Sequence, residues 1–235
     1  MPSLVDNLTR PFLRLIAPPS CRFCARHTDA AHGVCDDCLA RMPWNQHACP
    51  GCALPSPKAT LCSQCNKRPR RFDAAWAPLV YAPPIRGAIT ALKYRGQLQQ
   101  ARFLGELMYS RLRQSDQPPP DLIVPVPLHR WRLMRRGFNQ SAEIAKAIKR
   151  RSGLAIDSTA ARRVLQTAAQ VDQQDAAARK RNVRNAFLVD RCVKGLHIAL
   201  LDDVMTTGAT LETLAIAVKK AGAARVSAWA VAREP

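Results

Sequence analysis

No run in the 235 residues approaches the roughly 20 apolar positions that a membrane-spanning helix needs, so no membrane span is expected. Residues Met1 to Ser20 have neither a basic start nor a continuous apolar segment, which argues against a secretion signal. Leu4, Leu8, Leu15 and Ile16 form a short amphipathic face interrupted at Pro11, read as packing against the body of the protein. From these absences a cytoplasmic chain is expected, in a setting where thiols stay reduced. Acidic residues are scarce as well. Only 17 Asp and Glu stand against 36 Lys and Arg, and the formal charge is +19. General solubility does not require so large a bias, and the resulting field attracts polyanions: nucleic acid, phosphorylated metabolites or an anionic lipid surface. With 47% apolar residues the chain is not a disordered tail. Its length accommodates one α/β domain plus a small module.

Cysteine is plentiful and regular. Eight of the nine cysteines form four Cys-x-x-Cys knuckles, Cys21/Cys24, Cys35/Cys38, Cys49/Cys52 and Cys62/Cys65, with spacers of 10, 10 and 9 residues. Two thiolates on one tight turn can reach the same metal, and two such turns complete a tetrahedral site, so eight thiolates match two structural zinc ions. Gly51 tolerates the bend of the Cys49–Cys52 knuckle. Disulfides are the competing reading, and the missing secretion signal disfavours them. Neighbouring knuckles sharing a metal is the simplest pairing, with an interleaved one left open. His27, His32 and His47 read as surface residues, because thiolates already fill both sites, and Cys192 reads as an ordinary small side chain.

The cysteine-rich module is assigned to residues 1–70 and ends in the polar junction Lys67-Arg68-Pro69-Arg70-Arg71. Residues 71–235 form the second domain. Strands are expected over Ala74–Tyr81, Asp121–Pro127, Phe187–Val189, His197–Leu201 and Arg225–Val231. Helices are expected over Ile85–Lys93, Gln99–Arg113, Phe138–Arg151 and Ala209–Ala221, while the polar, arginine-rich stretch Ala161–Asn185 reads as helix or loop. Strands alternating with helices imply the α/β class: a parallel sheet with helices on both faces.

The most informative segment is His197-Ile-Ala-Leu-Leu-Asp202-Asp203-Val-Met-Thr206-Thr207-Gly208-Ala209-Thr210-Leu. A buried strand delivers two acids, and a Thr/Gly loop then opens a helix at the carboxyl end of the sheet, where ligands of open α/β folds bind. Backbone N–H groups, three hydroxyls and the positive helix end suit a phosphate, and Gly208 permits close backbone approach. Adjacent acids would repel that phosphate, so Asp202 and Asp203 are better suited to the hydroxyls of a ribose. The pieces describe a ribose 5-phosphate pocket. The bland alternative, a capped helix beside two surface acids, does not need this spacing of residues.

This segment resembles the phosphoribosyl pyrophosphate signature of type I phosphoribosyltransferases. The chain as a whole resembles the ComF/GntX family, a double zinc ribbon joined to a phosphoribosyltransferase-like domain. The resemblance extends over Lys93–Gly96, Val124–Leu128, Arg135–Gln140 and Arg181–Phe187. One departure is that Gln170 is followed by Val171, Asp172 and Gln173 where family members often have Gln-x-x-Leu. The resemblance implies that Asp202 and Asp203 hold the ribose diol and that Thr206, Thr207, Gly208, Ala209 and Thr210 hold the 5′-phosphate. It implies that the chain from Val124 to Arg136 approaches the pyrophosphate, with Mg²⁺ bridging its oxygens, and that Lys93 and Arg95 add counter-charge. It also implies a link with DNA uptake and use, through single-stranded DNA or DNA-uptake and recombination proteins. No glutaminase-type segment precedes the cysteine module, so an amidophosphoribosyltransferase is not expected.

Two further readings follow from the residues. From His129 to Arg151 there are eight Arg or Lys and one acid. Arg130, Arg132 and Arg135 interleave with Trp131 and Phe138, which suits a single-stranded backbone and stacked bases. The other is a regulator that binds phosphoribosyl pyrophosphate without turning it over.

Overall fold

A computed structural model describes residues 19–164 and 186–235. The expected face of Leu4, Leu8, Leu15 and Ile16 lies outside the described residues. So do the departure at Gln170–Gln173 and the motif from Arg181 to Asn185. The chain divides into two compact units, Met1–Met42 and Pro43–Pro235.

In the first unit an antiparallel bridge between Ser20 and His27 closes the turn that carries Cys21 and Cys24. Helix α1 (Asp36–Ala40) follows Cys35, its N-cap. Cys21, Val34, Cys35 and Met42 are buried there. A unit this small buries little apolar surface, which is the circumstance in which a metal staple matters most.

The second unit opens with the other two knuckles. A bridge pairs Ala48 with Pro55, and α2 (Ser63–Lys67) begins immediately after Cys62. A parallel sheet follows, built from β1 (Ala74–Trp76), β2 (Leu79–Val80), β3 (Leu122–Pro125), β6 (His197–Met205) and β7 (Arg225–Arg233). Its order is β1-β7-β6-β3, with β2 also on β7. The single strand expected over Ala74–Tyr81 is broken at Ala77-Pro78. Proline has no N–H for the ladder, and the Ala77 carbonyl instead accepts from Asn45 Nδ2 at 3.0 Å. Both halves keep one register on β7, with Ala74 opposite Ser227 and Leu79 opposite Ala232. A separate antiparallel pair joins β4 (Ala161–Arg163) to β5 (Phe187–Val189).

Helices cover both faces. Helix α3 (Ile85–Arg95) and α4 (Gln99–Leu112) follow the second strand, and α6 (Gln140–Ser152) packs on α4, β3 and β6. Helix α7 (Ala209–Lys220) covers the other face, where Leu211, Leu214 and Val218 share a core with Ile198, Leu200 and Ala228. The α4–α6 crossing depends on Gly105. A β-carbon there would stand 2.6 Å from Ala147 Cβ and 2.9 Å from the Ile144 carbonyl. The helix expected over Phe138–Arg151 is α6 alone, its N-terminus capped by Asn139, which accepts from Ser141 N. A further short helix, α5 (Arg130–Arg136), precedes it, ends at Gly137 and buries none of its residues.

Candidate functional site

Strand β6 runs through both acids to Met205, farther than the apolar run His197–Leu201 indicates. Its ladder with β7 continues to Val204–Ala232 and Met205–Arg233 and extends the strand. Successive strand residues point to opposite faces. Asp202 therefore shares the face of Ile198 and Leu200, and Asp203 that of Ala199 and Leu201.

Asp202 lines a small polar cavity of about 40 Å³ with Val204, Met205 and the loop residues Thr206, Thr207, Gly208, Ala209 and Thr210. One water needs roughly 10–15 Å³ by a comparable measure, so the space takes a small polar group and no ring system. Gly208 sits at φ +79° with only ordinary contacts around it. The demand for glycine is thus conformational, since an L side chain disfavours left-handed backbone. Thr207 Oγ1 accepts from Ala209 N at 3.3 Å at the start of α7. Asp202 Oδ1 accepts from Ser141 Oγ at 3.1 Å and from Asp203 N at 2.9 Å. Desolvation, followed by the neighbouring Asp203 carboxylate, pushes the Asp202 carboxyl up to about 7 against the pull of these donors and Lys93.

Asp203 is held differently. It is 3% exposed, and Lys93 Nζ from α3 reaches its Oδ1 at 2.9 Å. Its Oδ2 is buried with no hydrogen-bond partner among the described residues. The acid pair thus has one member at the loop cavity and one ion-paired on the far side of the strand.

Lys93 also lines a broad cleft of about 670 Å³ with Tyr94, Gly96, Trp131, Arg132, Arg135, Arg136 and Phe138. Among the described residues, four cations and no acid line it. Tyr94 is 76% exposed and Trp131 57%. The Arg136 guanidinium lies 5.8 Å from the Tyr94 ring centre and the Arg130 guanidinium 5.4 Å from that of Trp131, within cation–π range. Arg136 also donates to Gln140 Oε1 at 2.6 Å. Arg95 is exposed, and neither it nor Arg130 lines the cleft. Residues not singled out from the sequence complete the surroundings: Ser141, buried beside Asp202, and Arg163 of β4, whose charge is felt at Asp202. Ser141 directly follows a motif already noted, which could have drawn attention to it.

The cysteines pair by neighbouring knuckles. Cys21, Cys24, Cys35 and Cys38 form one cluster and Cys49, Cys52, Cys62 and Cys65 the other, each with its sulfurs within 4.8 Å of one another. A tetrahedral zinc site with bonds of about 2.3 Å has sulfur–sulfur edges of about 3.8 Å. Cys24 and Cys35 stand 3.5 Å apart and Cys52 and Cys62 3.7 Å, so the donor sets fit zinc. Backbone amides favour the thiolate at Cys21 and Cys62, whereas burial pushes Cys52 up and Cys65 up to about 12, and the neighbouring Cys24 thiol pushes Cys38 up to about 12. Burial pushes the Cys21 thiol up, but N–H groups of Cys35, Phe23 and Cys24 outweigh it and hold it at about 6, and the Cys65 amide brings Cys62 to about 7. Cys192 is exposed and outside both clusters.

A parallel α/β domain with a Thr/Gly loop after its acid-bearing strand, preceded by two four-cysteine clusters, defines the class: a phosphoribosyltransferase-like domain behind a double zinc ribbon. Residues 12–66 match the double zinc ribbon domain family. The DNA utilization protein YhgH of Salmonella typhi is 34% identical over 225 residues, spanning 93% of this chain and 99% of that protein. Competence protein F of Haemophilus influenzae is 28% identical over 214 residues, spanning 87% and 92%. The chain therefore belongs to the ComF/GntX family. Among solved structures, the purine phosphoribosyltransferase of Pyrococcus horikoshii matches 61% of this chain and 78% of its own at 18% identity, with a TM-score of 0.36. Among the described residues no helix is long and apolar enough to cross a membrane.

Proposed function

We propose that this protein binds phosphoribosyl pyrophosphate with Mg²⁺, the 5′-phosphate on the Thr206–Thr210 loop and the ribose at Asp202. The observation that carries the reading is the juxtaposition at the end of β6. A partly buried carboxyl and a left-handed Gly208 share one small polar cavity at a helix start, and Lys93 borders a cleft walled by arginines. The cavity has the size for a phosphate's oxygens, and the cleft has the charge for a pyrophosphate.

The residues fit a divalent cation in one respect. Asp203 already has Lys93 as counter-charge, whereas Asp202 is pushed to about 7 by its surroundings and gains from a nearby cation. When bound on the pyrophosphate, Mg²⁺ neutralises charge on the leaving group. The chain's own contribution is positioning and electrostatics. The loop fixes the 5′ end, Asp202 stands near a sugar carbon that becomes cationic as pyrophosphate departs, and Lys93, Arg132, Arg135 and Arg136 draw the departing anion into the cleft. Such a phosphoribosyl transfer would make the protein a glycosyltransferase, while a regulator would bind the same ligand without turnover.

Calorimetric titration with phosphoribosyl pyrophosphate and Mg²⁺ tests the reading. Asp202→Asn is expected to weaken binding at least tenfold, about 1.4 kcal/mol, with both zinc ions retained. Unchanged affinity sinks it.

A second reading concerns DNA. The cleft's cations alternate with exposed aromatic rings, and the relatives' names speak of DNA utilization and competence. Single-stranded DNA lying across Trp131, Arg132, Arg135 and Phe138 would show affinity falling steeply with salt. Partners from DNA uptake or recombination, and a cytoplasmic setting that keeps the thiolates reduced, belong to this reading too. A flat salt response rejects it.

A further inference from the structure

The junction at Lys67–Arg71 does more than connect. Arg70 Nη1 donates to the Thr207 carbonyl at 3.1 Å and to Glu212 Oε1 at 3.2 Å, and the Cys65 sulfur is among the groups that favour its charge. Its side chain is only 17% exposed. Arg233, 4% exposed, donates from Nε to the Cys52 carbonyl and from Nη1 to the Met205 carbonyl, each at 2.9 Å. The two carbonyls that flank Thr206 are therefore each held by a guanidinium: that of Arg233 also donates to the Cys52 carbonyl, and that of Arg70 has its charge favoured by the Cys65 sulfur.

This grip bears on the loop's amides. In a trans peptide the C=O and the following N–H point in opposite directions. Fixing the Thr207 carbonyl toward Arg70 fixes the Gly208 N–H the other way, and Thr207 and Gly208 both line the cavity. Fixing the Met205 carbonyl does the same for the Thr206 N–H. A guanidinium is a rigid planar fork, so displacement of one acceptor is felt at the others. Four thiolates on zinc also leave a dianion, for which Arg70 and Arg233 are the adjacent counter-charges.

We propose that zinc at Cys49, Cys52, Cys62 and Cys65 sets the geometry of the Thr206–Thr210 loop through Arg70 and Arg233. Anion affinity at the loop then depends on occupancy of this metal site and not of the Cys21–Cys38 site. The consequence for affinity rests on the phosphate reading above, whereas the mechanical coupling does not.

The test uses the full chain loaded with zinc. It reads amide hydrogen exchange over residues 205–210 and calorimetric affinity for ribose 5-phosphate. Arg70→Ala is expected to keep both zinc ions and the protection of β6 and β7. Its loop should exchange about tenfold faster and its affinity fall roughly tenfold, the usual scale for losing a charged donor. Arg70→Lys, which keeps the charge but cannot span the acceptors, should recover part of both. Cys62→Ser should speed loop exchange as Arg70→Ala does, and Cys38→Ser should not. Unchanged loop exchange in Arg70→Ala overturns the proposal, as do equal responses to Cys62→Ser and Cys38→Ser. If a cysteine variant fails to fold, Arg70→Ala and its lysine rescue decide alone. Should wild-type protein ignore ribose 5-phosphate while exchange responds as described, the phosphate reading falls and the coupling stands.

Discussion

Replacing Asp202 by Asn should stabilise the protein at neutral pH and above while leaving it unchanged in acid. The Asp202 carboxyl sits at about 7 in the folded chain because burial and the Asp203 carboxylate disfavour its charge, and the unfolded value is about 3.8. The folded state therefore binds more protons than the unfolded state between these two values, and stability falls as pH rises through that window. At about 1.4 kcal/mol per pH unit, the loss is complete slightly above pH 7 and amounts to roughly 4 kcal/mol. That is a large part of the 5–15 kcal/mol typical of a folded domain. An Asn side chain keeps an oxygen for the Ser141 hydroxyl and the Asp203 amide but carries no charge to desolvate. Urea unfolding of both proteins should give matching midpoints near pH 4, a gap that widens to about pH 7, and a plateau beyond. A variant that is equally or less stable near pH 8 would refute the claim that this carboxyl is held under electrostatic strain. Such strain is what a site kept for a cationic or hydroxyl-bearing ligand exhibits.

Lys93→Ala should destabilise the domain by about 3 kcal/mol in thermal or urea unfolding, because it strands the buried Asp203 carboxylate without its counter-charge. Removing both charges with Asp203→Asn in that background should restore much of the loss. Gly105→Ala, which in an exposed helix adds up to about 1 kcal/mol, should here cost about 1–3 kcal/mol, since the new methyl meets Ala147 Cβ and the Ile144 carbonyl. A gain in melting temperature would contradict the close α4–α6 crossing. Chelation at neutral pH should release two zinc equivalents per chain and take up protons as thiolates are freed. A single equivalent would contradict the two-cluster assignment.

Where the chemistry is short-range, the sequence carries it. Four evenly spaced knuckles announced two metal sites, and the apolar run His197–Leu201 announced a central strand. What escaped was set by partners far along the chain. β6 continues through Asp202 and Asp203 because Ala230 to Arg233 lie beside it, although aspartate is among the residues depleted in strands. Strand alternation alone implies that adjacent acids face apart, but not that Lys93 would claim one of them. The helix expected from Phe138 starts two residues later, after the Asn139 cap, and α5 before Gly137 is not expected, since it buries none of its residues and so leaves no apolar periodicity. The contact of Arg70 with Thr207 spans 137 positions, and Arg233 with Cys52 spans 181. Separations like these leave no periodic trace.

The most direct measurement is a crystal structure with phosphoribosyl pyrophosphate and Mg²⁺. The account predicts the 5′-phosphate on the backbone amides of residues 206–210, the ribose hydroxyls at Asp202, and the pyrophosphate toward Lys93 and Arg136. Ligand density confined to the arginine cleft, with nothing at the Thr206–Thr210 loop, would contradict it.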